Sequence, residues 1–387
     1  MSAAHWRRAM NTGLAATSAA ARQLPLPRAV ATTAPAATPD PYADSDAPRW
    51  LKFLWRHLSA RHVFVLAFVL LYPFVATPFF TFQIAGQALA LGLIAASLTF
   101  LGGYGGMVSL AQMTVAGIAG YMLAILGTSG AAGQAASLGW PWWVAIPFAL
   151  VIATIAATLI GWLSVRTEGI YTIMITLAIG VAFYYLALQN YSVFNGFQGF
   201  QRVYPPVVFG INWRDPVPFY FLALACSLAG YLLVKWVVRA PFGIALQGIR
   251  DNPRRMHALG YNVTAHRVAA YALAGLLAGV GGILLIWYNG LITPNSVNTG
   301  WLINVLVVAV LGGMRHPIGA FIGAIVFVLL QTFAIDVIDR ERFNLVIGVV
   351  FLAIVLFSPD GLLGLWAKLR SRFGPQAALT SQPRRQA

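Results

Sequence analysis

The chain has 387 residues, 59% hydrophobic and only 9% charged, with a mean hydropathy of +0.75. A soluble domain carries about 25% charged residues, whereas residues 62–165 here contain no Asp, Glu, Lys or Arg; a water-soluble fold is excluded, because it would expose more apolar surface than solubility tolerates. The net charge of +15 lies in loops and tails, where positive-inside orientation accounts for it without nucleic acid as a partner.

Residues 1–47 are rich in Ala, Pro and Arg. No apolar core follows the first arginines, so the segment is not a secretory signal. An Arg- and Ala-rich, acid-poor start fits an organellar transit peptide loosely; the expectation is a disordered cytoplasmic tail, or a start codon placed too early. The expected domains are therefore this tail, a transmembrane domain over 48–366, and a basic cytoplasmic tail over 367–387.

The apolar pattern predicts an all-α, polytopic integral membrane protein. Its expected crossings are about ten: 63–82, 85–101, 107–127, 142–164, 170–189, 218–238, 268–288, 301–314, 317–335 and 344–358. Each needs about 20 apolar residues, and the eighth and tenth are short. Arg49, Lys52, Arg56 and Arg61 precede the first crossing and place the amino terminus in the cytoplasm; the even count returns the carboxyl terminus there. Loops on that side carry Arg166, the 239–267 segment, Arg315 and the basic tail, while 128–141 and 289–300 have neither Lys nor Arg. Trp140, Trp142 and Trp143 sit at an expected membrane interface, which indoles favour.

Several motifs are less specific than they look. The single cysteine, Cys226, lies mid-span, forms no intrachain disulfide and reads as a small packing residue. "GGYGG" (102–106) has no Lys-Ser/Thr and is not a phosphate loop. Two readings of it stay open. It marks either close helix packing, or backbone leaving the helix beside a cavity at membrane depth, which Tyr104, Ser109 and Gln112 would then line as a translocation path. Gly275 and Gly279, Ala278 and Gly282, and Gly319 and Gly323 are small-xxx-small pairs that let helices approach closely. "LGGYGG" (101–106) and "LGGMRHPIG" (311–319) give a faint internal repetition. No Asp, Glu, Lys or Arg falls mid-span, which argues against a carrier driven by an ion gradient. None of the six histidines has a metal-ligand partner at helical spacing and no Ser-His-Asp set is evident, so no metal, cofactor or catalytic residue is expected.

"PFGIALQGIRDNPRRMHALG" (241–260) departs from this background. Pro241 suits the first turn of a helix whose Phe242, Ala245, Leu246 and Ile249 form one stripe. Asp251 and Asn252 are capping types, Pro253 suits the start of a second helix, Met256 and Leu259 are spaced to share its face, and Gly260 is placed as its left-handed stop. Two short amphipathic helices rimmed by Arg250, Arg254 and Arg255 fit either a docking element for a cytoplasmic partner or a helix lying on anionic lipid.

The chain resembles the LivM-type permease subunit of the ATP-binding-cassette importers for branched-chain amino acids. The resemblance runs from about residue 85 to 366 and rests on "GGYGGMVSLAQMTVAGIAGYMLAIL" (102–126), "RTEGIYTIMITLAIG" (166–180), "APFGIALQGIRDNPRRMHALGYNV" (240–263), "VLGGMRHPIGAFIGA" (310–324) and "FSPDGLLGL" (357–365) in that order. It implies a permease in the bacterial inner membrane that hydrolyses nothing itself. Its partners would be a homologous LivH-type permease, two cytoplasmic ATP-binding subunits and a periplasmic substrate-binding protein. The 239–267 elbow becomes the ATPase-coupling loop, with Phe242, Leu246, Ile249, Arg250, Asn252, Arg254, Arg255, Met256, Leu259 and Gly260 as its residues. The segment "NGFQGFQRVYPP" (195–206) departs from the Thr-Gly-Gly…Gly pattern of such permeases, and "RHP" after "GGM" replaces a Gly-containing turn. Similar permeases also serve urea, short amides and aromatic acids. A stand-alone secondary transporter and a non-transporting scaffold subunit are the alternatives.

Overall fold

The computed structural model describes residues 69–127, 137–167, 169–208 and 210–337, with 348, 349, 352 and 361–365 beyond them. The two expected tails, the start of the first crossing and nearly all of the tenth lie outside these residues.

In hydrocarbon every backbone polar group needs a partner within the protein, and a helix supplies it locally. The main helices among the described residues are α1 (Phe80–Tyr104), α2 (Gln112–Leu126), α3 (Trp142–Ser164), α4 (Ile170–Gln189), α5 (Pro216–Arg239), α6 (Pro241–Asp251), α7 (Pro253–Ala258), α8 (Val263–Asn289), α9 (Thr299–Gly312) and α10 (Pro317–Val337). Five of them, α1, α3, α4, α5 and α8, are long and apolar enough to span a bilayer. The chain is a multi-pass, mostly helical membrane protein.

The structure redraws the expected crossings at three places. The boundary between the first and second falls near Pro78 rather than at 82–85, because Pro78 stands at a helix start and Gln83 is absorbed in a π-helical turn over Phe80–Gly86. The third begins at Gln112, not 107: residues 106–111 are not helical, and the 15 residues of α2 reach about 22 Å, short of a hydrocarbon core of about 30 Å. The eighth and ninth, α9 and α10, are a bent pair meeting at 116°.

α1 and α8 are the central helices, with 83% and 72% of their apolar windows buried; α3, α4 and α5 bury a third or less and present the rest outward. Without a hydrophobic drive between helices in lipid, close backbone approach supplies the packing. The glycines of α8 do this on several sides. Gly275 lies against Ala157 and Gly279 against Ala153 of α3, Gly281 against Ile94 of α1, and Gly282 against the backbone of Ala116 in α2. Ala149, Ala153 and Ala157, one helical turn apart, give α3 the matching flat face and are fully buried.

At the far ends of α4 and α8, β1 (Phe200–Gln201) pairs antiparallel with β4 (Leu291–Ile292), while β2 (Val207–Val208) and β3 (Ile211–Asn212) form a short hairpin. Gly199 is required here. Its φ of +59° is left-handed, and a side chain would run into the Ile292 carbonyl.

Candidate functional site

At the opposite end, α6 and α7 form the elbow between α5 and α8. Ala240 is extended (φ −69°, ψ 160°) and Pro241 opens α6. The stripe of α6 is turned inward: Ala245, Leu246 and Ile249 are buried, and Phe242 is half-buried with its ring stacked on His266 at 5.6 Å. Leu246 and Ile249 have no exposed surface, so they anchor the elbow on its own chain rather than standing out as knobs. Sequence periodicity identified an apolar face without identifying what covers it.

Asn252 breaks the chain between the two helices in extended backbone and caps α7, its Oδ1 accepting from the Arg255 amide at 3.0 Å. Asp251 is not the cap; its carboxylate pairs with Arg250 at 2.9 Å. α7 ends as expected. Gly260 has φ +90°, its amide bonds the His257 carbonyl, and the Tyr261 amide bonds the Met256 carbonyl, which together make a Schellman closure. Met256 folds back so that its Sδ lies against Gly248 of α6. Among the side chains the elbow exposes are Ile244, Arg254, Arg255, His257 and Leu259, with Ile244 at 63% and Leu259 at 67%. We expect Asn252→Ala to cost about 1 kcal/mol, through the lost cap of a six-residue helix. A fall of a few degrees in the melting temperature, with Asn252→Ser restoring it, is the check.

The elbow rests on the glycine motif that ends α1. Leu246 approaches Gly105, the Arg250 stem covers Gly106, and the Arg250 Nη1 donates to the Gly103 carbonyl. On its other side the motif meets the α9–α10 turn, where Gly102 lies against the Met314 sulfur and Gly103 against the Met314 carbonyl. The two stretches that share a glycine-pair style, 101–106 and 311–319, are thus in contact.

Beyond Gly106 (φ +67°) the non-helical residues 107–111 run through the interior, and their peptide groups find partners nearby. The Met107 amide bonds the Leu101 carbonyl, the Leu110 amide bonds Thr176 Oγ1 at 3.1 Å, and the Ala111 amide bonds Ser109 Oγ at 3.3 Å. Gln112, the first residue of α2, lies with its Oε1 3.0 Å from the Ser97 hydroxyl of α1. Ser109 and Gln112 are both fully buried, and the Tyr271 hydroxyl faces Ser109 and Ser164. Neither Tyr271 nor Ser164 completes a hydrogen bond there, and Thr99 and Thr114 also keep unpartnered hydroxyls. Ser109 and Gln112 therefore each sit beside other buried polar side chains, Tyr271 next to the first and Ser97 next to the second. Tyr104 does not: it is half-buried at the elbow end of α1, packed on Phe100. Sequence reasoning missed Ser97, Ser164, Thr176 and Tyr271. Their signal was a lone polar group inside an apolar span, which buried hydroxyls at helix contacts give.

Between the elbow, residues 106–108 and the start of α4 lies a cavity of about 310 Å³. Met107, Val108, Thr167, Thr172, Arg250 and Pro253 are among its walls.

A family model described as branched-chain amino acid transport system / permease component matches residues 80–355. The high-affinity branched-chain amino acid transport system permease protein LivM of Salmonella typhimurium is 24% identical over 248 residues, 58% of each chain. The probable branched-chain amino acid transport permease protein LivH of Methanocaldococcus jannaschii is 30% identical over 161 residues, 39% of this chain and 49% of that one. The nucleoside ABC transporter permease protein NupC of Lactococcus lactis is 36% identical over 121 residues, 30% and 35% of the two chains. The chain thus spans 58% of the length of the first LivM relative. No solved structure matches it.

Proposed function

The chain belongs to the branched-chain amino acid transport permease family, and on that premise we propose that it is the membrane subunit of an ATP-binding-cassette importer for branched-chain amino acids. It sits in the bacterial inner membrane with both termini cytoplasmic, and the crossings expected ahead of Pro78 and at 344–358 bring its passes toward ten. Ser109, Gln112 and the hydroxyls around them line the path. ATP hydrolysis belongs to two separate subunits, a LivH-type permease completes the membrane unit, and a periplasmic binding protein delivers the solute.

The observation that carries this reading is the elbow. A capped, anchored pair of helices joins two membrane helices, α5 and α8, and offers apolar and basic side chains outward. A lever of this kind serves a transporter powered from outside the membrane, and the absence of Asp, Glu, Lys and Arg at mid-span in the sequence removes the groups an ion-driven carrier would use. Ser109 and Gln112 supply neutral polar contacts without a buried charge, which suits a zwitterion in transit.

The test is reconstitution of this chain with the LivH-type permease, both ATPases and the binding protein in proteoliposomes. We expect leucine, isoleucine or valine to accumulate only with ATP and loaded binding protein. Uptake that persists without the ATPases and collapses with an uncoupler would make the chain a secondary carrier. A nucleoside accumulating in place of the amino acids would keep the mechanism and change the substrate.

A further inference from the structure

We propose that Arg250 is the positioning residue through which the elbow moves the glycine seam of the membrane core. The inference rests on the elbow receiving the ATPase, and it assigns the route by which that movement reaches the buried Ser109 and Gln112.

Arg250 lies in the last turn of α6, and its guanidinium works in two directions. Nε donates to Asp251 Oδ1 at 3.0 Å, with Nη2 in ion-pair contact with the same oxygen at 2.9 Å, while Nη1 donates to the carbonyl of Gly103. Gly103 lies in the last turn of α1, where carbonyls lack intrahelical donors and the helix dipole favours a cation. A charged donor on such a carbonyl makes a stronger tie than a neutral one. The stem of Arg250 covers Gly106, its Cγ 2.5 Å from where a β-carbon on that glycine would stand, so the side chain follows the motif over its length.

What lies behind Gly103 gives the tie its reach. The residue is in contact with the Met314 carbonyl, and Met314 stands in the turn where α9 and α10 bend by 116°. That turn is close-packed, with Gly312 against Gly319. A displacement of Gly103 is therefore passed to a second pair of helices. It is also passed along the chain, because the non-helical residues after Gly106 carry Ser109 and lead to Gln112. Finally, Arg250 and Pro253 border the cavity of about 310 Å³, which leaves space beside the elbow for it to move. Packed elements of this kind switch between arrangements rather than deforming smoothly.

Arginine is the side chain this task requires. Its planar fork holds the Asp251 carboxylate and the Gly103 carbonyl at once, in fixed relative directions, whereas a lysine ammonium offers a point charge on a flexible stem.

The experiment uses the complete reconstituted transporter and reads three quantities: copurification of the ATPases, ATP hydrolysis with loaded binding protein, and solute imported per ATP. Wild type comes first; if it shows no ATP-dependent uptake, the importer reading itself fails and the inference falls with it. Given a working wild type, we expect Arg250→Gln to keep the ATPases bound and hydrolysing, while solute per ATP falls about tenfold or more. Arg250→Lys is expected to keep assembly and lose about threefold, less than the glutamine variant. A wild-type ratio of solute to ATP in assembled Arg250→Gln overturns the inference and leaves the importer reading standing. Loss of assembly in both variants also overturns it, since Arg250 would then hold the elbow in shape without transmitting anything. Should Arg250→Gln fail to accumulate, the lysine variant decides: a reduced ratio in stable protein supports the route, and an unchanged one rejects it.

Discussion

Gly282→Leu is expected to abolish the folded protein. A side chain at this position would overlap the carbonyl oxygen and Cα of Ala116. These are backbone atoms of α2, and they cannot swing aside as the end of a flexible side chain does. To admit a leucine, α2 must leave α8. α8 is the central helix that also meets α1 and α3 through Gly281, Gly275 and Gly279, so the displacement does not stay local. In lipid the separated faces gain nothing from burial elsewhere, because tails solvate a leucine as well as a protein interior does. Overpacking in a close-packed core costs about 1–3 kcal/mol when neighbours can shift, and here the neighbour is main chain, which puts the loss on the order of 3 kcal/mol or above. The measurement is the yield of monodisperse protein in detergent and its thermal midpoint by tryptophan fluorescence. Gly260→Ala is the comparison. That glycine has φ +90° but open space around it, so only backbone strain of about 1–2 kcal/mol is added. A Gly282→Leu protein that melts with wild type would show that α2 and α8 do not pack as described.

How far the fold could be read in advance depended on what each signal measures. Hydropathy over a long window found α3 and α4 at residues 142–164 and 170–189, because these helices expose most of their surface and are apolar all round. Capping chemistry found the joint at Asn252 and the stop at Gly260, because both are local events settled by a side-chain oxygen and a left-handed φ. The same averaging failed over residues 106–111. Met107, Val108 and Leu110 are as apolar as a helix requires, but the chain leaves helical geometry at Gly106, and its free amides are met by Thr176 and Ser109. No window centred on the segment can see a hydroxyl more than 60 residues away. The elbow shows a related limit. Spacing correctly grouped Ala245, Leu246 and Ile249, yet whether such a stripe faces a partner or its own chain depends on the end of α1, far off in sequence. The same holds for the two glycine motifs, legible as similar strings and not as neighbours. Of the buried polar residues, Ser109 and Gln112 stood out by their place after "GGYGG", whereas Tyr271 and Ser164 had only their isolation to mark them.

On the importer reading proposed above, paired substitution of Ile244 and Leu259 by Asp should detach the proposed ATPase subunits and leave the membrane domain folded. The inward stripe cannot test docking: an aspartate at Leu246 or Ile249 would bury a carboxylate without a partner, and loss of the fold would mimic loss of binding. Ile244 and Leu259 are free of that objection, being 63% and 67% exposed. Covering an aliphatic side chain of this size contributes about 1.5–3 kcal/mol, so removing two from an interface, at 1.4 kcal/mol per tenfold, weakens association by about 100-fold or more. Copurification after detergent extraction, beside an unchanged thermal midpoint of the permease alone, reads both sides of this expectation. The basic rim of Arg254 and Arg255 should behave differently. Exposed charges steer encounter and are screened at a Debye length of about 8 Å in physiological salt. Their exchange for Gln should therefore slow assembly at low ionic strength and matter little at high. The competing role of the same residues, resting on anionic headgroups, separates in the same assay. A lipid-bound elbow would keep its ATPases after the Ile244 and Leu259 changes and would respond to replacing anionic lipid with neutral, whereas a docking elbow loses the ATPases in either lipid. Retention of the ATPases by the double variant would remove the elbow's exposed apolar residues from the interface and, with them, the main physical argument for a power stroke delivered at residues 241–260.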